Sequence, residues 1–171
     1  MPAIVDPNTD TLLWESGAIN TYLVETYDKD HKISYESSRE RHLCNQWLHF
    51  QMSGQGPYFG QAAWFSFFHA EKLPSAIERY RNEIERVIGV LNTHLEKQGT
   101  GYLVGDKCTY ADLAFVTWSN IVPGLMGEER KIDFEGKFPA YDKWLKGLNE
   151  RASVKKVNEI KEKAKAEKEA K

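Results

Sequence analysis

Pro2-Ala3-Ile4-Val5-Asp6 and Leu12-Leu13-Trp14-Glu15-Ser16-Gly17-Ala18-Ile19 are the two runs from which the rest of the chain is read. Asp6-Pro7-Asn8-Thr9-Asp10 stands between them, a cluster of turn formers, so the two β-type runs are expected to pair as a hairpin with a longer loop. The second run leads straight into a helix starting at Ser16, where Ile19, Tyr22, Leu23 and Tyr27 recur at helical spacing as one apolar stripe. Glu15, the Ser16 hydroxyl and the N–H groups of the first turn then meet at one helix end. A carboxylate takes an ammonium group, while a hydroxyl with helix N–H groups takes a carboxylate, so this spot suits a small zwitterion. Taken alone, Glu15-Ser16 would more often be an ordinary helix start.

The remainder reads as helical. After a charged connector at 28–32, a long helix is expected from about Glu36, with Leu43, Trp47 and Phe50 on one face. Ser53-Gly54-Gln55-Gly56-Pro57 is expected to kink or break it. Helix then resumes from Tyr58 to Phe68, carrying Phe59, Trp64, Phe65, Phe67 and Phe68. Pro74 opens the clearest helix, with Ile77, Tyr80, Ile84, Val87, Ile88, Leu91 and Leu95 in register and Gly99-Thr100-Gly101 as its stop. Thr109-Tyr110-Ala111-Asp112 reads as a capping box ahead of a buried helix containing Leu113, Ala114, Phe115, Val116 and Trp118. Pro123-Gly124 is expected to end that helix, and a loop through Gly127 and Gly136 to lead to a short helix with Tyr141, Trp144, Leu145 and Leu148. Beyond Arg151 only Val154, Val157 and Ile160 recur, and from Lys161 the tail is Lys, Glu and Ala, a solvated helix.

Composition narrows the classes. With 23 basic and 25 acidic residues and a net charge of −2, there is no general electrostatic case for nucleic acid or a membrane surface. Cys44 and Cys108 stand far apart with no metal-type spacing, which favours a reducing, cytoplasmic setting. The histidines at 31, 42, 49, 69 and 94 form no ligand set, so no metal is expected. Gly54 to Gln61 follows a helix rather than a strand and lacks a Gly-Lys-Ser/Thr ending, so it is not a phosphate loop.

Pro2 to Asp6, Glu15-Ser16 and Thr109 to Asp112 together resemble the soluble glutathione transferases, and residues 54–61 resemble the fungal nitrogen-regulator and bacterial disulfide-reductase branch. The fold class implied is mainly α: an all-helical C-terminal domain at 36–160, preceded at 1–28 by the last β-hairpin and third helix of a thioredoxin-like half, with a charged tail at 161–171. In the resemblance Glu15 and Ser16 hold the γ-glutamyl end of glutathione, and Met1 presents its backbone to the cysteinyl part across a cis bond to Pro2. Tyr58, Phe59 and Trp64 are expected either to wall a second-substrate site or to be core or dimer contacts. Thr109 and Asp112 are expected to be structural. The implied function is transfer of the glutathione thiolate to an electrophile or a disulfide, with glutathione as co-substrate, a small hydrophobic or disulfide partner, and a homodimer. No catalytic residue is assigned here, because the family's thiol-activating Ser, Tyr, Cys or Asn belongs to the part of the half that would precede Pro2. The alternatives are a non-catalytic interaction or regulatory module of the same fold, or an incomplete gene model of the enzyme.

Overall fold

The computed structural model describes residues 2–169, the side chains of 168 and 169 excepted. The expected hairpin forms from β1 (Ala3–Asp6) and β2 (Thr11–Trp14), antiparallel, with Ala3 opposite Trp14 and Val5 opposite Leu12. Asp6 fastens its turn: the carboxylate accepts the Asn8 N–H at 2.9 Å, the Tyr22 hydroxyl at 2.6 Å and the Tyr27 hydroxyl. Both tyrosines stand on α1 (Ser16–Tyr27), so the expected apolar stripe is divided. Ile19 is buried, but Leu23 is 41% exposed, and Tyr27 is 49% exposed with its phenol turned toward a carboxylate instead of a core.

The glycine–proline stretch does not break the long helix, contrary to expectation. α2 (Ser38–Phe50) starts two residues later than expected and passes through a π turn (Gln51–Gln55) into α3 (Gly56–Ala63) and a second π turn (Trp64–Phe68). The Gly56 N–H reaches back to the Gln51 carbonyl, a five-residue closure that puts an extra residue ahead of Pro57. Pro57 then lies in the first turn of α3, where its missing N–H costs little.

α4 (Pro74–Gln98) is the axis of the body. It buries Ile84, Val87, Ile88, Leu91 and Leu95 and ends at Gly99, whose φ of 69° closes the helix in the left-handed region. α5 (Tyr110–Asn120) and α8 (Pro139–Asn149) complete the core around Phe115, Tyr141 and Trp144. The expected loop between them is partly helical. Pro123 sits in the first turn of α6 (Val122–Met126), and α7 (Phe134–Lys137) begins at an Asp133 cap that accepts the Gly136 N–H. α9 (Ala152–Glu169) runs through 160–161 without interruption.

Asp112 ties these pieces together. Fully buried, its carboxylate accepts the Thr109 N–H at 2.8 Å, the Thr109 hydroxyl at 3.0 Å, the Leu103 N–H at 3.0 Å and the Trp144 indole N–H at 2.8 Å. The capping box forms as expected and also joins α5 to α8 and to the segment before it.

Candidate functional site

The strand-to-helix turn is abrupt: Trp14 ends β2 and Ser16 begins α1, leaving Glu15 alone to change direction. Glu15 takes φ 74° and ψ 117°, a region that a residue with a Cβ rarely adopts and that costs on the order of 1–3 kcal/mol. Its carbonyl accepts the Ile19 N–H at 2.9 Å, which closes the first turn of α1. The N–H groups of Ser16, Gly17 and Ala18 have no helical carbonyl behind them.

The helical body meets this turn through Met52, in the first π turn. Ser16 Oγ donates to Met52 Sδ at 3.3 Å, a weak acceptor that a better one readily replaces. Gly17 also packs closely on Met52, since a Cβ there would lie 3.2 Å from Met52 Cγ. An open groove of about 640 Å³ runs beside them, lined by Leu13, Glu15, Gly17, Tyr22, His49 and Met52. It presents a half-buried carboxylate and the start of a helix on one wall and thioether and aliphatic surface on the other, which suits a zwitterion with an apolar or sulfur-bearing continuation.

Glu15 and Ser16 are thus adjacent at one turn. Pro2 is exposed on the chain entering β1, and Met1, with its bond to Pro2, lies outside the described residues. The three aromatic wall residues separate. Phe59 has no exposed surface and meets Trp118 edge-on at 6.4 Å, so it is a core residue and the wall reading is withdrawn for it. Tyr58 is half-buried with the Arg86 guanidinium 5.7 Å above its ring. Trp64 is 50% exposed and lies against Phe68, itself 70% exposed.

Neither cysteine is placed for nucleophilic chemistry. Burial pushes the Cys44 thiol up to about 11 and the Cys108 thiol up to about 12, so both stay protonated near neutrality. Among the described residues no cluster of three or more His, Cys, Asp or Glu is arranged to hold a metal ion, and no helix is long and apolar enough to cross a membrane.

Sequence reasoning missed Met52 and the glutamines flanking it. Met52 lies one helical turn after Leu48, on the face that meets the core, a spacing that was readable; Gln55 fell inside the stretch expected to break the helix, and its place in a π turn was not readable.

The family model for the glutathione S-transferase C-terminal domain matches residues 57–152. A glutathione S-transferase-like protein, tpcF of Aspergillus fumigatus, is 52% identical over 163 residues, covering 91% of this chain and 72% of that protein. The crystal structure of the glutathione transferase URE2P6 from Phanerochaete chrysosporium, in complex with oxidized glutathione, superposes with a TM-score of 0.87 at 51% identity over 95% of this chain and 73% of that one. Ure2p5 of the same organism, cocrystallized with 1-(S-glutathionyl)-2,4-dinitrobenzene, gives a TM-score of 0.90 at 40% identity, over 97% of this chain and 76% of that one.

Proposed function

This chain belongs to the glutathione S-transferase family, and from that premise we propose that the Glu15–Ser16 turn holds the γ-glutamyl end of glutathione. The Glu15 carboxylate takes the ammonium group. The Ser16 hydroxyl leaves Met52 Sδ for the glutathione carboxylate, which the unpaired N–H groups of the α1 first turn also reach. The observation that carries this reading is the strained Glu15 backbone: a non-glycine residue is kept at φ 74° where a carboxylate, a hydroxyl and a helix end converge beside an open groove. Backbone on the β1 side, at Pro2, is proposed to face the cysteinyl part. The reaction is transfer of the thiolate to an electrophile or a disulfide, in a cytoplasmic homodimer, with Tyr58 and Trp64 as apolar contacts for the second substrate.

Thiol activation is assigned to no residue among these 171. The cysteines are buried thiols, and the Tyr110 hydroxyl donates to Asn45 at 2.7 Å while burial raises its pKa. The activating group is proposed to come from the thioredoxin-like half beyond the hairpin and α1. Joined to that half, Ser16→Ala weakens glutathione binding by about 1–3 kcal/mol, a hydrogen bond to a charged group being lost, and Glu15→Gln weakens it at least as much. Calorimetry on the joined protein decides: both variants binding like the parent would remove the site. Residues 1–171 by themselves are expected to be helical by circular dichroism yet to give no measurable conjugation of glutathione to an aromatic electrophile.

A further inference from the structure

Two glutamines lie inside the apolar body with no role in the site as described. Gln51 is 6% exposed and Gln55 has no exposed surface. They occupy the two ends of the first π turn, the turn that carries Met52. The Gln51 side-chain amide donates to the Gln55 side-chain carbonyl at 3.1 Å. The Gln55 amide donates onward to the Phe115 carbonyl at 3.2 Å and to Ser119 Oγ at 3.1 Å, both on α5. A leucine or methionine would fill the same space without requiring buried polar partners, and burying an amide is favourable only when its hydrogen bonds are made.

What these bonds specify is register. A π turn is a one-residue insertion into a helix and is less favourable than the α turn it replaces. The side-chain bridge across the turn, anchored at its far end to α5, fixes where the insertion falls. Losing the insertion would rotate the preceding helix against α3 by about 100°, one residue of an α-helix, and carry Met52 away from Ser16 and Gly17. We propose that Gln55, acting through Gln51, is a positioning residue for the Glu15–Ser16 turn: the buried amide bridge holds the π turn in the register that sets Met52 against Ser16 and Gly17. The proposal refines the site assigned above, but its geometry does not depend on which ligand that site takes.

The test uses the full 171-residue chain with 13C-methyl-labelled methionine, together with amide hydrogen exchange. The variant Gln51→Met/Gln55→Leu removes both amides and leaves no half-paired group between them. It is expected to remain helical while the Met52 methyl resonance shifts and exchange at the Ile19 amide, whose N–H closes the first turn of α1 onto the Glu15 carbonyl, rises roughly ten-fold, as a local opening would give. Ser119→Ala, which leaves Gln55 its Phe115 acceptor, is expected to move the same signals in the same direction by less. Thr109→Ala serves as the control, lowering stability without touching the bridge, and should leave the Met52 methyl where it is. A folded double variant with an unmoved Met52 methyl and unchanged Ile19 exchange would overturn the proposal. If the double variant does not fold, Ser119→Ala decides alone, and an unmoved methyl there has the same force. No readout involves glutathione, so loss of the Glu15–Ser16 assignment and loss of this one are separate results.

Discussion

In the helical body Phe59, Ile84, Ile88, Leu91 and Phe115 have no exposed surface, whereas in the hairpin Val5, Leu12 and Trp14 remain 71%, 67% and 59% exposed. Val5 and Leu12 are cross-strand partners, so one sheet position keeps two apolar side chains in water. The body closes a core around α4, a core of the kind that a domain needs to fold alone. The hairpin and α1 form a satellite: Asp6 ties the hairpin to two tyrosines of α1, and α1 meets the body through Ser16 and Gly17 at Met52 and through Val24 against the core. A two-stranded hairpin is marginal without further packing. The contrast separates stability from chemistry, because the proposed site sits on the less stable unit and borrows its position from the more stable one.

The largest break in that contrast comes from Asp112. Asp112→Ala leaves the Leu103, Thr109 and Trp144 N–H groups unpaired inside the body, at about 1–3 kcal/mol each. A loss of about 3 kcal/mol or more is expected in urea unfolding followed by tryptophan fluorescence, with the satellite released in the same transition. A loss below about 1 kcal/mol would mean that water or rearranged neighbours satisfy those donors.

A smaller change sharpens the same contrast. Thr109→Ala removes the capping hydroxyl but leaves the Asp112 carboxylate its N–H donors, so about 0.5–2 kcal/mol is expected from the denaturant midpoint at an unchanged m-value. Exchange at the hairpin amides should not move, since Thr109 bears on Asp112 of α5 and Cys44 of α2, both in the body. An unchanged midpoint would leave Asp112 as the whole of the junction.

The same division governs what could be read from the sequence. Period and punctuation sufficed for α4, where Pro74 and Gly99 bracket an apolar repeat, and for the hairpin, where 6–10 is all turn formers. Glu15 and Ser16 were legible only through their neighbours, because either alone is a common helix start. The unbroken helix from 38 to 68 was not legible: Gly54, Gly56 and Pro57 are breakers by local preference, and the π turn that accommodates them is supported by contacts with α5, sixty residues away in the chain. Tyr22 and Tyr27 misled in the other direction. Their spacing fits an apolar stripe, but a phenol chooses its side by its hydroxyl, and Asp6 supplies the partner.

The smallest expected effect concerns that partner and isolates the satellite by pH. Hydrogen bonds from the Tyr22 and Tyr27 hydroxyls, with the Asn8 N–H, outweigh desolvation and hold the Asp6 carboxyl below the ordinary 3.8. A carboxyl whose folded pKa lies below its unfolded value binds fewer protons when folded. Its contribution is therefore complete above the unfolded value and is lost as pH falls through the folded one. Between pH 6 and about pH 4 the hairpin should be unchanged, and only further acidification should loosen it. The observables are the ring resonances of Tyr22 and Tyr27, set against the amide of Leu91 in the body. Asp6→Asn removes this step and leaves the acid response of body carboxylates such as Glu85, which is held low by Lys137 and Arg130 against the pull of desolvation. Tyrosine resonances that do not move while Asp6 titrates, or an Asp6 that titrates above its ordinary value, would show that the phenols are incidental to the hairpin and that the satellite is fastened by the contacts of α1 with the body.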